Sequence, residues 1–127
     1  FLKNLFLVHL GKKQNTQISI KNYSKIQFNK DELIKRINEI SCDFLSCKDL
    51  NHFEELIHEH ESIISKAISI DPIQQSTFFD YTEGNIKSLG SWGGDFILVT
   101  AKSRDLSYFR NKGLKTILPL EEIVYLN

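Results

Sequence analysis

Hydrophobic and polar positions alternate with two different periods along this chain, and the switches between them set out the elements. Leu5-Phe6-Leu7-Val8-His9-Leu10 is rich in β-forming residues and runs into Gly11-Lys12-Lys13-Gln14-Asn15-Thr16, which predicts a strand followed by an exposed polar loop. Asn29-Lys30-Asp31-Glu32 has capping-box spacing, with Phe28 and Leu33 placed as a hydrophobic staple, so a helix starts there. Leu33, Ile37, Ile40 and Phe44 recur at helical spacing and carry that helix to residue 46. A second amphipathic helix is expected over residues 50–68. Its apolar stripe is Phe53, Leu56, His60, Ile63, Ile64 and Ala67, and its polar side is Glu54, Glu55, His58 and Glu61. Asp71-Pro72 reads as an N-cap followed by a proline in the first turn, predicting a shorter helix over 72–81. Residues 85–89 and 95–101 form two strands of a hairpin. Ser103 then caps a helix to residue 110, Gly113 ends it, and 115–120 is a last strand.

The resulting order, β-α-α-α-β-β-α-β, predicts an α+β ferredoxin-like sandwich, an antiparallel sheet with helices on one face. With 127 residues, 41% of them hydrophobic and nine of them phenylalanine, the chain fits one domain, residues 1–127, with a substantial core. It has no repeat or low-complexity tract. It lacks methionine and opens inside the expected first strand, so it reads as a piece of a longer protein. Sixteen basic and sixteen acidic side chains cancel, which gives no global field to draw nucleic acid or an anionic membrane surface. No apolar run reaches the ~20 residues of a membrane span, and the opening segment is too interrupted for a signal peptide, so a cytoplasmic protein is expected. Cys42 and Cys47 fall on different sides of a helix and are expected to be reduced thiols.

The candidate chemistry centres on Gly90-Ser91-Trp92-Gly93-Gly94-Asp95, three glycines in five residues directly before the buried-strand run Phe96-Ile97-Leu98-Val99. Glycine permits backbone conformations closed to other residues and a close approach to a ligand, so loop amides facing an anion and a plain tight hairpin are both open readings. Asp95 beside a phosphate would be repelled unless it turns away, meets a cation, or accepts from the loop's own amides. Trp92 fits a lid, a subunit contact in a homodimer, or a plug. His52, His58 and His60 lie among glutamates, but without His-Glu-x-x-His spacing, and with His58 and His60 about 200° apart on a helix, no metal site is expected. His60 lies on the apolar stripe, either as a core histidine or as a residue facing a ligand at the sheet. Lys12, Lys13 and Lys87 are candidate cations for an acidic substrate, or solvated surface lysines. No Ser-His-Asp, Cys-His or Walker-type arrangement is present.

The order of elements and three local matches resemble the C-terminal domain of the GHMP kinases, the superfamily of galactokinase, homoserine kinase, mevalonate kinase and phosphomevalonate kinase. Lys87-Ser88-Leu89-Gly90-Ser91-Trp92-Gly93-Gly94-Asp95-Phe96 is similar to that family's third, glycine-rich signature, with the Gly-Gly-Asp ending common in phosphomevalonate kinases. Leu56-Ile57-His58-Glu59-His60-Glu61 is similar to the helix carrying Asn-Glu-x-His near the substrate, with His60 at the histidine position. The third match is the entry strand ending at Gly11, followed by basic residues and Thr16. Trp92 departs from the small residue usual in the signature, and the whole pattern resembles a poorly characterised bacterial branch of the superfamily.

The resemblance implies a parent enzyme passing the γ-phosphoryl group of Mg-ATP to a hydroxyl or phosphate of a small molecule, with mevalonate, phosphomevalonate and a galactose-type sugar as acceptors to consider. It implies that ATP, magnesium and the catalytic aspartate are held mainly by an N-terminal domain outside this chain. The present residues would then shape the acceptor side through Gly90 to Asp95, His60, Glu59, Lys12 and Thr16, and by themselves would not turn over. A ferredoxin-like module that only binds a ligand or partner is the reading from another class.

Overall fold

The computed structural model describes residues 1–11, 30–89 and 95–123. A short 3-10 turn, Leu2–Asn4, precedes the first strand, β1 (Leu5–His9), so the chain opens ahead of the strand and not inside it. Helix α1 (Lys30–Ser46) and helix α2 (Leu50–Ile68) follow, then the short α3 (Ile73–Ser76). β2 (Ile86–Ser88) and β3 (Phe96–Thr100) lead to α4 (Ser107–Asn111), β4 (Ile117–Pro119) and a terminal turn of helix, α5 (Leu120–Ile123).

The four strands form one antiparallel sheet in the order β2-β3-β1-β4. β3 lies between β2 and β1, and β1 lies between β3 and β4, so two β-α-β units are each split by a strand of the other. That is the ferredoxin-like α+β arrangement. Its register pairs Phe6 with Val99, Val8 with Ile97, and Ile97 with Ser88. Period-2 alternation therefore sends Phe6, Val8, Ile86, Ile97 and Val99 to one face, where all five are buried. Phe78, Tyr81, Leu106 and Phe109 close that face as an aromatic-rich core. Phe109 packs at 5.5 Å from Phe78 and 5.0 Å from Tyr81, ring centre to ring centre, in tilted and edge-on geometries that suit aromatic quadrupoles.

The opposite face carries Leu5, Leu7, Lys87, Leu98 and Thr100, and α2 is tied to it by side chains two helical turns apart. Glu54 accepts from Thr100 Oγ1 at 2.7 Å, and Glu61 stands 3.7 Å from Lys87 Nζ. α1 packs on α2, with Phe44 and Phe53 in ring contact at 5.2 Å and Arg36 bridging to Glu59. Gly84 has a steric reason: a Cβ there would lie 2.1 Å from the Thr100 carbonyl oxygen, so any other residue would push β2 away from β3.

Three expected boundaries shift for identifiable reasons. The helix expected over 72–81 ends at Ser76, and Phe78 and Tyr81 reach the core from the turn that follows it, where Tyr81 N–H donates to the Phe78 carbonyl. Pro72, not Asp71, occupies its N-cap, and no side chain caps it. The helix expected from Ser103 starts at Ser107. Ser103 Oγ accepts from Asp105 N–H, Asp105 in turn accepts from Ser107 N–H, and Gly113 ends the helix at φ +86°. The capping box at Asn29 lies outside the described residues.

Candidate functional site

The antiparallel register gathers one end of the sheet. His9 at the end of β1 faces Phe96 at the start of β3, and Ser88 at the end of β2 faces Ile97. Asp95 sits at that same end, where its carbonyl oxygen accepts from Leu10 N–H at 2.7 Å and extends the β1 to β3 ladder by one step. Gly11, at φ +78°, turns the chain away there, and its N–H donates to His9 Nδ1 at 3.1 Å. The flanks of both segments singled out in the sequence, the loop after Gly11 and the loop before Asp95, thus meet at one edge. Lys12, Thr16, Gly90, Ser91, Trp92, Gly93 and Gly94 themselves lie outside the described residues.

Beside this end, α2 contributes His60 and Glu61 to Lys87 of β2. Lys87 Nζ approaches His60 Nδ1 at 3.3 Å and also donates to the Ser88 carbonyl at 3.3 Å. Because the ammonium is the donor, His60 accepts at Nδ1, and Nε2 carries the ring's hydrogen. Burial, with Lys87 adding a smaller push, lowers the His60 pKa to about 4, so the ring is neutral near pH 7. Lys87 is pulled below the ordinary lysine value by burial and partly restored by Glu61. An anion arriving at Lys87 would favour its charged form further.

Glu61 departs most from its sequence reading. Placed on the polar side of α2 by periodicity, it is 3% exposed. The reason lies in the sheet: among the described residues β2 is an edge strand, and two of its N–H groups find no neighbouring strand there to receive them. Gln74 Oε1 accepts from Ile86 N–H at 2.9 Å and Glu61 Oε1 accepts from Ser88 N–H at 3.2 Å. The other carboxylate oxygen, Oε2, is buried and has no hydrogen-bond partner among the described residues. Burial raises the Glu61 pKa, against the opposing pull of Lys87 and of the Ser88 N–H. Outside this edge, between α2 and α3, lies a groove of about 470 Å³ whose walls include Ile57, Glu61, Ser62, Ser65, Gln74 and Ile86.

Glu59 points its chemistry elsewhere. It binds Arg36 of α1 through both oxygens, one at 2.9 Å, and this pairing lowers its pKa. Of the sequence candidates, then, His60 joins Lys87, Asp95 holds the sheet end through its backbone, and Glu59 joins the two long helices. Among the described residues no group of three or more His, Cys, Asp or Glu side chains is gathered to hold a metal ion, and no helix is long and apolar enough to cross a membrane. Cys42 and Cys47 are free thiols. Comparison with protein-family models, curated proteins and solved structures returns no match to this chain.

Proposed function

We propose that this chain is the acceptor-side domain of an ATP-dependent small-molecule kinase of GHMP type, working in the cytoplasm. One observation carries the reading: the neutral His60 of α2 and the half-screened ammonium of Lys87 stand together, and Lys87 belongs to β2, the strand that leads into the glycine-rich segment. Lys87 supplies positive charge where a phosphorylated or otherwise anionic acceptor would be drawn. His60, its Nδ1 engaged by Lys87, offers Nε2–H to orient an acceptor oxygen. In phosphoryl transfer such positioning and charge placement do most of the catalytic work. Bound Mg-ATP would supply the γ-phosphoryl group. As the family resemblance implies, this reading assigns nucleotide and metal mainly to an N-terminal domain.

The test is to express the whole reading frame that contains Phe1 and to follow ADP release with mevalonate, phosphomevalonate and galactose in turn. Turnover with one of them is expected. Lys87→Ala and His60→Ala should each lower kcat/KM for that acceptor by about 10- to 100-fold, the scale of losing one positioned charge or hydrogen bond. A folded protein that releases no ADP with any acceptor would overturn the kinase reading and leave a module that binds without catalysis.

A further inference from the structure

We propose that the groove between α2 and α3, along the open edge of β2, is a binding site for a small molecule bearing one primary ammonium on a short aliphatic chain, with Glu61 as the residue that holds the ammonium. The proposal does not depend on the kinase reading, because the groove opens on the outer side of β2 and its walls include neither His60 nor the glycine-rich segment.

The argument starts from the buried carboxylate. Buried polar atoms are almost always hydrogen-bonded, and leaving one unpaired costs on the order of 1–3 kcal/mol, more when it is charged. Glu61 has its Oε1 committed to Ser88 N–H and facing Lys87, while Oε2 has no hydrogen-bond partner among the described residues. The same side chain forms part of the groove wall. Oε2 is itself buried, so an entering donor reaches it through a turn of the carboxylate about its soft terminal torsion, a turn that loosens Oε1 from Ser88 N–H in exchange for the new charged partner. A charged N–H donor is the best partner, since charge-assisted hydrogen bonds are about twice as strong as neutral ones.

The remaining walls narrow the chemistry. Ile57, Ile86 and Pro72 offer apolar surface for a few methylenes, Ser62 offers a hydroxyl, and Ser65 Oγ, which donates to the Ile70 carbonyl at 2.6 Å, keeps its lone pairs to accept from an ammonium. Lys66 also borders the groove, and its cation disfavours a second ammonium, so a monoamine fits better than a polyamine. At about 470 Å³ the space lies within the usual range for small-ligand pockets, about 300–1,000 Å³.

The experiment is an NMR titration of this chain with n-butylammonium, with 1-butanol and butyrate as matched probes. Saturable shifts are expected at Ser62, Ser65 and the Gln74 side-chain amide with n-butylammonium, and no saturation with butyrate. Glu61→Gln should weaken binding about tenfold, the scale of one lost charge-assisted hydrogen bond. Ser62→Phe, which fills the groove and leaves the contacts of Glu61 to Ser88 and Lys87 in place, should abolish it and serves as the test should Glu61→Gln fail to fold. An equal response to 1-butanol would show apolar filling alone and would overturn the proposal. So would undiminished binding by Ser62→Phe, or the absence of any saturable response.

Discussion

Two carboxylates two residues apart on α2 have opposite surroundings. Glu59 stands at the surface with its side chain 39% exposed and shares Arg36 with Glu39, so its charge is met by a cation in high-dielectric surroundings. Glu61 is buried, is shared between a backbone amide and a lysine, and among the described residues keeps one oxygen unpaired. The first region ties helix to helix and is replaceable. The second ties helix to sheet and is not, because removing either member leaves a charge in a low-dielectric wall.

The sharpest way to break this comparison is at Glu61 itself. Glu61→Leu leaves Lys87 buried without its carboxylate and Ser88 N–H without an acceptor, and should lower the unfolding free energy by about 3–5 kcal/mol, read by urea denaturation. Glu61→Leu combined with Lys87→Met should regain at least half of that loss. If the double variant is no more stable than the single, the buried pair is not what distinguishes this region.

A smaller effect should follow pH through His60. Its folded pKa, about 4, lies below the ordinary value of 6.5, so the stability it contributes is fully present above pH 6.5 and is lost as pH falls towards 4. Glu61 acts in the opposite sense, since its raised pKa lets the folded state take up a proton first on acidification. His60→Asn should therefore flatten the fall in urea midpoint between about pH 6.5 and 4, and an unchanged profile would place the acid sensitivity elsewhere.

The smallest change is expected at the surface. Arg36→Ala removes the bridge to Glu59 and Glu39, and exposed ion pairs contribute little, so its urea midpoint should stay within the scatter of ordinary surface substitutions, with less difference still at high salt. A loss comparable with that of Glu61→Leu would erase the contrast between the two regions.

The long elements were legible in the sequence because periodicity is strongest where a helix is long: α2 runs over the residues expected, 50–68, and α1 ends where expected, at residue 46. The hairpin strands and the helix-ending role of Gly113 were legible as well, through turn chemistry. The burial of Glu61 was not. A helical wheel ranks residues by their own polarity, and what buries this one is an amide on an edge strand 27 residues away. The pairing of His60 with Lys87 was hidden for the same reason: helix and strand each carried one half of it, and only the sheet order brings the halves together. The terminal helix α5 went unread because the strand before it is only three residues long and runs directly into it.

The covering of β2 by side chains has a kinetic consequence. The amides of Ile86 and Ser88 are secured by one glutamine and one glutamate, not by a neighbouring strand, so each is released when a single side chain swings away and no ladder has to unzip. In hydrogen exchange these two amides would act as local clocks, Ser88 timing the departure of α2 from the sheet and Ile86 that of α3, on a scale separate from the global unfolding that governs the central strands.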